Sequence, residues 1–393
     1  MRRVLLVTHR SPAQAGGAAA RWRSLLARLP DHGWQIDVVS APQRASATEL
    51  SDGGSPAAQR RAAVMGQVGR LAGPAFGLAG LRPDAFPPSM LWVPRGAHAT
   101  RDAAASGDYD VVVATGPPMA ALLAARRGVR GLGVPLVVDM RDLWARSPAF
   151  DRGGPLLPAL ERRVVNAAAR VVAMTPEAVS DLRIRHPGAA ERITEIPNGY
   201  EPELLAGRDT PRVRTHGEPL TILHSGTITP DRPLAPIVAA LAADDRFRLA
   251  LHGFVHPDAL AAAGDRRSIE VLPASSWQDA TARMREADAL LITQARGAGD
   301  ATAVASKVYE YLAIGRPVLC VSDGGATEQL LRRIGHDQLL ARLDDAASIR
   351  AALDRLASTP PAPVPAERLT PYSRAQIAAD TAALLNEVAA AHR

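Results

Sequence analysis

A lysine and a glutamate one helical turn apart are the residues of this sequence best suited to bind a charged ligand. Lys307 is the only lysine among the 46 lysine and arginine residues of the chain. Its ammonium is a compact point charge that can bind a phosphate or a hydroxyl, whereas arginine presents a planar fork. Glu310, three residues later, can accept two hydrogen bonds from a ribose diol. An exposed helix face without a ligand is the alternative interpretation.

The stretch 305–322 around this pair predicts a helix followed by a buried strand. Ser306 can cap the helix at its amino end, and Gly315 can end it. The apolar run Val318–Val321 then reads as a strand covered on both faces. Because Glu310 falls near the amino end of the helix, we expect the helix dipole to keep its carboxylate ionised.

A second candidate site follows the predicted strand Leu220–His224. Ser225, Gly226 and Thr227 form a turn of small residues, and Arg232 comes five residues after Thr227. A turn of this kind with a following arginine is suited to binding a diphosphate. An ordinary turn with a solvated arginine remains the alternative.

The first predicted strand-to-helix turn carries a histidine and a pair of glycines. Gly16 and Gly17 at a helix amino end would let the backbone approach a phosphate or sugar closely. The dinucleotide fingerprint Gly-x-Gly-x-x-Gly is absent, which argues against an NAD site. His9 is either a ligand-facing residue or simply the end of the strand.

Charged residues also follow the predicted strand Leu136–Met140. Asp139, Arg141 and Asp142 fall within four positions at its carboxyl end. Asp142 could accept a proton or a substrate hydroxyl, and Arg141 could meet a phosphate. The alternative is a buried arginine–aspartate pair that holds the loop.

Short apolar strands alternate with helical stretches along most of the chain, which predicts an α/β fold with two Rossmann-like, doubly wound parallel sheets. We expect an N-terminal domain over 1–205, a C-terminal domain over 206–374, and a helix at 375–393 that packs back on the first. Ligands would bind in a cleft at the carboxyl ends of the strands. Residues 41–108 break the alternation and read either as a helix packed on the N-terminal domain or as a basic, membrane-touching element. The predicted strands are Val4–Thr8, Ile36–Ser40, Val111–Thr115, Leu136–Met140, Val171–Thr175, Ile193–Pro197, Leu220–His224, Phe247–His252, Ile269–Leu272, Ala289–Thr293 and Val318–Val321.

Composition limits the classes of function. The net charge of +6 suits an anionic partner, but aromatic residues make up only 4%, so nucleic acid is not expected. No Asp-x-Asp follows a strand and no Gly-x-Ser-x-Gly occurs, so neither a bound metal nor a serine hydrolase is expected. The apolar run after Met1 is too short for a signal peptide, and the lone Cys320 fits a reducing compartment. We expect a cytoplasmic protein that can touch the inner face of the cell membrane.

Five motifs together resemble the family-4 retaining glycosyltransferases of the GT-B fold. They are Gly16-Gly17, Asp110–Pro118, Arg141–Trp144, Ile196–Gly199 and Ser306–Leu312. Arg-Asp-Leu-Trp with Ser-Lys-x-x-Glu-Tyr-Leu is similar to the bacterial branch that transfers N-acetylated or deoxy sugars in surface polysaccharide synthesis.

The resemblance implies transfer of a hexosyl group from a nucleoside-diphosphate sugar, with UDP the preferred nucleotide, to a glycan, lipid-linked or small-molecule hydroxyl, without a metal or other cofactor. Closure of the two domains would bring the Gly16-Gly17 loop over the sugar phosphates. The assigned residues are Lys307, Arg232 and Asp142 for catalysis, His9 and Arg141 on the acceptor side, and Gly16, Gly17, Ser225, Gly226, Thr227, Thr302, Ser306 and Glu310 for the donor.

The chain departs from the family pattern at three positions. Thr302 stands where the family usually has a glutamate that touches the sugar. The family binds the diphosphate with an arginine and a lysine; here Thr227 stands at the arginine position and Arg232 takes the place of the lysine. Arg141 falls near the position of a histidine that is common in the N-terminal domain of the family. Two other functions therefore stay open. One is a nucleotide-sugar epimerase or hydrolase of the same fold, and the other is a non-catalytic partner protein that binds nucleotide sugars.

Overall fold

The computed structural model describes residues 1–12, 17–41, 88–145, 156–208, 217–242, 244–265, 267–295 and 301–393. Gly16 and residues 42–87 of the region 41–108 lie outside the described residues. The described residues form two compact units, Met1–Ile196 with Ala379–Arg393, and Pro197–Ala378.

The first unit is built on a parallel sheet with the order β2-β1-β3-β4-β5-β6. Its inner strands are continuous β-branched runs buried on both faces, as predicted for a sheet covered by helices. The order reverses between β1 and β3, so the carboxyl ends of these two strands flank the switch point of the sheet. The strands are β1 Arg2–Thr8, β2 Trp34–Val39, β3 Val111–Gly116, β4 Leu136–Met140, β5 Arg170–Ala173 and β6 Ile193–Glu195.

Among the described residues, five helices belong wholly to this unit: α1 Gly17–Arg28, α2 Val93–Ser106, α3 Ala120–Gly128, α4 Leu156–Ala167 and α5 Pro176–Arg185. α2 lies in the region that broke the sequence pattern. It buries Gly96, Ala97, Thr100 and Ala104, and the preceding Trp92 joins the core of the unit. The described part of that region therefore packs as a helix on the N-terminal unit.

The second unit carries a parallel sheet with the order β12-β11-β10-β7-β8-β9. Counted from β7, this is the 3-2-1-4-5-6 order of a Rossmann sheet, with its switch point between β7 and β10. The predicted bounds of β8, β9, β10 and β11 are confirmed. The sequence analysis missed β12, because a strand of two residues is too short to show a hydrophobic pattern. The strands are β7 Leu220–Ser225, β8 Phe247–His252, β9 Ile269–Leu272, β10 Ala289–Thr293, β11 Val318–Val321 and β12 Leu340–Ala341.

The helices of this unit are α6 Ala235–Ala242, α7 Pro257–Ala261, α8 Trp277–Glu286, α9 Lys307–Ile314, α10 Ala326–Arg333, α11 Ala346–Ser358 and α12 Ala366–Leu369. Gly315 ends α9 in the left-handed region at φ +81°, as predicted. The predicted capping role of Ser306 is wrong: it stands at the N-cap position with helical backbone angles, and its side chain makes no capping hydrogen bond.

The last helix, α13 Arg374–Ala391, belongs mostly to the first unit. This part of the chain contacts the rest of the unit through polar groups. Arg2 donates from Nη1 to Asn386 Oδ1 at 2.5 Å, Arg170 pairs with Glu387, and Arg393 lies 3.2 Å from Asp110. Each exposed ion pair of this kind contributes little to the free energy of unfolding. None of the described helices is both long enough and apolar enough to cross a bilayer.

Gly199 is fixed by close backbone contact, which yields a prediction. A Cβ here would lie 2.0 Å from the Tyr372 carbonyl oxygen. The same oxygen accepts a hydrogen bond from the backbone N–H of Tyr200 at 3.0 Å. Because backbone atoms must move, we expect Gly199→Ala to lower the free energy of unfolding by about 3 kcal/mol. Gly188→Ala, where a Cβ meets nothing within 4 Å, is the control and should change it by less than about 0.5 kcal/mol. Equal effects in chemical unfolding would contradict the prediction.

Candidate functional site

The predicted phosphate-binding residues of the second unit gather at its switch point. His224 lies near the carboxyl end of β7, and Lys307 at the start of α9 reaches it: Nζ lies 2.9 Å from His224 Nε2. Arg232 donates from Nη1 to the carbonyl oxygen of Thr293, the last residue of β10, at 2.7 Å. Two cations are thus held by the two strands where an open α/β sheet binds ligands.

The hydrogen bonds of His224 define its tautomer. Nδ1 lies 3.1 Å from the carbonyl oxygen of Leu291 on β10. A carbonyl only accepts, so Nδ1 carries the proton and Nε2 accepts from Lys307. Burial, followed by the charge of Lys307, holds the pKa of His224 well below its ordinary value. The imidazole is therefore neutral beside the ammonium.

Lys307 is a strongly perturbed amine. Burial lowers its pKa to about 7; the positive charge of Arg232 adds to the shift and Glu310 opposes it. Gly226 makes room for it, because a Cβ there would lie 2.5 Å from Nζ, and its φ of +143° also disfavours a side chain. A titrating amine with specific charged neighbours at a switch point is typical of a functional site.

Ser225 and Thr227 of the same turn differ in their surroundings. The Ser225 N–H donates to Tyr311 Oη at 2.8 Å, and its Oγ lies 3.0 Å from His252 Nδ1. Thr227 is exposed. The turn is thus anchored through Ser225, with Thr227 open to solvent.

Glu310 lies partly buried beside Arg374, a residue that the sequence reasoning missed. Arg374 Nη2 lies 3.8 Å from Glu310 Oε1, and its Nη1 donates to Glu201 at 2.8 Å. Burial raises the pKa of the Glu310 carboxyl, while Arg374 lowers it. The net shift of this pKa is upward, whereas the helix dipole alone would lower it. Arg374 lies 64 residues away in the sequence, so no local signal points to it.

The N-terminal unit places its predicted residues at the carboxyl ends of β1, β3 and β4. Arg141 donates to the carbonyl of Pro117 through its side chain and to that of Gly116, at 2.9 Å, through its backbone. Burial lowers the pKa of its guanidinium. His9 packs edge-on against Trp92 with ring centroids 5.5 Å apart. Arg141 is thus tied to the turn after β3.

Gly17 and Asp142 also lie near these strand ends. Gly17 begins α1, and Asp142 is exposed in the loop after β4. Gly16, the other glycine of the predicted pair, is outside the described residues.

Asp139 forms the buried ion pair that the sequence left open, with Arg21 of α1 as its partner. Arg21 Nε lies 3.5 Å from Asp139 Oδ1, and both side chains are 4% exposed. Trp22 Nε1 and Thr115 Oγ1 donate to the other carboxylate oxygen at 2.7 and 2.9 Å. Asp139 therefore ties α1 to the sheet, and of the two acidic residues only Asp142 faces solvent.

Residues 16–199 match the family model described as glycosyl transferase 4-like domain. This match covers the N-terminal part of the chain, which is therefore similar to the glycosyl transferase 4-like family. The resemblance to family-4 glycosyltransferases predicted from the motifs is thereby confirmed.

Solved structures share the fold over the whole length of the chain. Sucrose-phosphate synthase from Thermosynechococcus elongatus is 16% identical with a TM-score of 0.71, and 100% of each chain is covered. HepE from Anabaena, in complex with UDP-glucose, is 14% identical with a TM-score of 0.65 over 98% of this chain and 100% of that one. The predicted GT-B fold of two Rossmann-like domains is confirmed.

A third similar structure, from Listeria monocytogenes, is provisionally assigned as a UDP-N-acetylglucosamine 2-epimerase. It is 13% identical with a TM-score of 0.56 and covers 96% of this chain and 94% of that one. No curated protein matches the sequence significantly.

The remaining residues that the sequence assigned to the donor and to catalysis in the second unit lie in different surroundings. Thr302 is partly buried in irregular backbone before α9, and Ser306 is exposed next to Lys307. Arg232 is held against β10, close enough to Lys307 to affect its pKa.

A buried glutamate that the sequence reasoning missed holds the loop after β4. Glu161 of α4 accepts from the Ala145 N–H at 2.9 Å and from His186 at 2.8 Å, and it also pairs with Arg185. Burial alone would raise the pKa of its carboxyl, but these partners outweigh burial and lower it. The segment that carries Asp142 is therefore anchored at Ala145 by a charged residue.

Proposed function

We propose that the protein transfers a sugar from a nucleoside-diphosphate donor, preferably a UDP-sugar, to a hydroxyl acceptor with retention of configuration at the anomeric carbon. The observation that carries this proposal is the pair of cations, Lys307 and Arg232, at the switch point of the Rossmann sheet. A diphosphate that leaves during transfer gains negative charge at the β-phosphate oxygen whose bond to the anomeric carbon breaks. Positive groups already in place stabilise that charge without reorganisation.

The two units take different parts of the substrate in this proposal. Glu310, on the same helix as Lys307, binds the ribose hydroxyls, and Arg374 orients its carboxylate. The Ser225–Thr227 turn lies against the diphosphate, with Gly226 open for Lys307. In the N-terminal unit, Asp142 orders the acceptor hydroxyl and accepts its proton, and His9 and Arg141 contact the acceptor. The acceptor oxygen attacks the face from which the diphosphate leaves, so no covalent carboxylate intermediate is assigned.

Similar structures support a UDP donor. HepE has been solved with UDP, with UDP and glucose, and with UDP-glucose. The direct test is thermal unfolding with UDP, GDP, dTDP and CMP. A ligand at 100 times its Kd stabilises the native state by about 2.7 kcal/mol. We expect UDP to raise the Tm most. Product analysis with UDP-sugars and hydroxyl acceptors then follows, and failure of all four nucleotides to bind would refute the proposal.

A second candidate function, epimerisation or hydrolysis of the nucleotide sugar, is supported by the fold of the Listeria structure. The two functions differ in their need for an acceptor. Release of a free sugar or an epimer at a rate independent of acceptor would establish the second function. Tight nucleotide binding without turnover across donors and acceptors would instead indicate a non-catalytic binding protein.

Donor binding should depend on pH through Lys307. Its pKa lies near 7, so the ammonium that attracts a diphosphate is mostly present at pH 6 and mostly lost by pH 8.5. We expect the Kd for UDP to rise by about tenfold between these values, since hydrogen bonds to charged groups are the stronger ones. Calorimetric titration at pH 6.0, 7.0 and 8.5 measures the change. Lys307→Arg, whose guanidinium stays charged, provides the comparison, because its profile contains the titration of the UDP phosphate but not that of Lys307.

A further inference from the structure

His224 is a buried titratable group that the proposed transfer does not use. It is 1% exposed at the end of β7, and each of its ring nitrogens has a partner: Leu291 O at Nδ1 and Lys307 Nζ at Nε2. We infer that His224 is a positioning residue that holds the Lys307 ammonium over Gly226, aimed at the diphosphate of the donor. This inference rests on the proposed function.

The geometry suits a histidine in one tautomer. The Leu291 carbonyl keeps the proton on Nδ1, which turns the lone pair of Nε2 toward Lys307. A protonated imidazole would present a second N–H to the ammonium, so two donors would face each other. The burial and the Lys307 charge that lower the pKa of His224 prevent this.

The other charged groups around Lys307 cannot replace this contact. Arg232 repels the ammonium, and Glu310, which attracts it, is already shared with Arg374. Among the described residues, His224 is the one hydrogen-bond partner of Nζ. An ammonium has three N–H donors, so two remain for ligand oxygens. Gly226 lies next to Nζ and has no side chain that could compete with a ligand for this space.

Two substitutions separate the roles of the ring nitrogens. In His224→Asn the amide nitrogen can take the place of Nδ1 and donate to Leu291, but nothing replaces Nε2. In His224→Gln the longer side chain brings an amide oxygen to the place of Nε2, where it can accept from Lys307. We expect the Asn variant to weaken UDP binding by about tenfold and the Gln variant by less than about threefold.

A double-mutant cycle with Lys307→Met shows whether His224 acts through the lysine. If it does, His224→Asn costs about tenfold in UDP affinity in the parent protein and less than about twofold when Lys307 is already methionine. A residue that only supports the fold would cost the same factor in both backgrounds. That result would overturn the inference.

The single lysine allows a readout that needs no donor. Lysine labelled with ¹³C at Cε gives one side-chain signal, which belongs to Lys307. Its titration midpoint should lie near the pKa of about 7 in the parent protein. It should fall in His224→Asn, because the charged amine loses an acceptor, and hold in His224→Gln.

These measurements separate the inference from the proposed function. An unchanged Lys307 titration in His224→Asn would overturn the positioning role even if UDP binds. A shifted titration in a protein that binds no nucleotide would support the contact and refute the donor assignment.

Discussion

Replacing Lys307 by methionine is expected to lower glycosyl transfer about 100- to 1,000-fold while making the protein more stable. The loss of rate follows from the loss of a positive group positioned where charge develops on the leaving diphosphate, and single groups of this kind are worth about this factor. Methionine keeps the unbranched aliphatic stem and removes the charge. Steady-state kinetics with saturating donor and acceptor would measure the effect.

The gain in stability follows from the pKa of Lys307. Its ordinary value of 10.5 is lowered to about 7 by burial, so between these values the unfolded chain binds a proton that the native protein does not. Stability therefore rises with pH through this window, and below about pH 7 the native protein bears the full cost of a buried ammonium. Lys307→Met removes that cost. Its Tm should exceed that of the parent protein most at pH 6, and by less at pH 9.5.

The combination of lower activity and higher stability distinguishes a binding lysine from a structural one. Groups held in a costly state at an active site often trade stability for activity. Arg350, exposed on α11, provides a matched control, and Arg350→Met should change neither quantity. A Lys307→Met variant that is less stable at pH 6 would show that the ammonium supports the fold.

The sequence predicted the elements better than the contacts. Buried strands such as β10 and β11 show their bounds in runs of β-branched and other apolar residues, because a strand covered on both faces has few polar positions. Lys307 and Glu310 could be selected as candidate site residues because the sequence alone shows an unusual residue type near the start of a predicted helix. The pairing of Lys307 with His224 could not be predicted, since it joins residues 83 positions apart.

Local rules were insufficient where tertiary structure decided the result. Ser306 has the residue type of a helix cap but makes no capping bond. Burial raises the pKa of Glu310 and Arg374 lowers it, and a position near a helix start reveals neither effect. In each case the surroundings come from a distant part of the chain, and the local pattern contains no information about them.

Asp139 and Asp142 show the same limit within a single motif. Both are aspartates that flank Arg141, and the sequence offered both an acceptor-binding role and a buried ion pair for the group. The strand direction separates them. Asp139 points into the layer between β4 and α1, where it meets Arg21, Trp22 and Thr115, whereas Asp142 lies exposed past the strand end. We assign stability to the first and acceptor ordering to the second.

The corresponding prediction is that Asp139→Asn and Asp142→Asn have opposite effects. Asparagine at 139 keeps an oxygen for Trp22 and Thr115 but removes the charge opposite Arg21, which is 4% exposed. Breaking a buried pair from one side costs about 3 to 5 kcal/mol, because the remaining charge is left without compensation. Asp142→Asn, at an exposed position, should change the free energy of unfolding by less than about 0.5 kcal/mol.

Chemical unfolding and transfer kinetics on the same two variants test this assignment. We expect Asp142→Asn to keep its unfolding midpoint and to lose turnover, since an amide cannot take the acceptor proton; general-base assistance is worth about 100-fold or more. Asp139→Asn should unfold at lower denaturant and keep its turnover under conditions where it is folded. Full activity in Asp142→Asn would remove Asp142 from the acceptor site. An unchanged midpoint in Asp139→Asn would mean that other groups compensate the charge of Arg21. The Ile196 carbonyl, which accepts a hydrogen bond from Arg21 at 3.2 Å, is one such group.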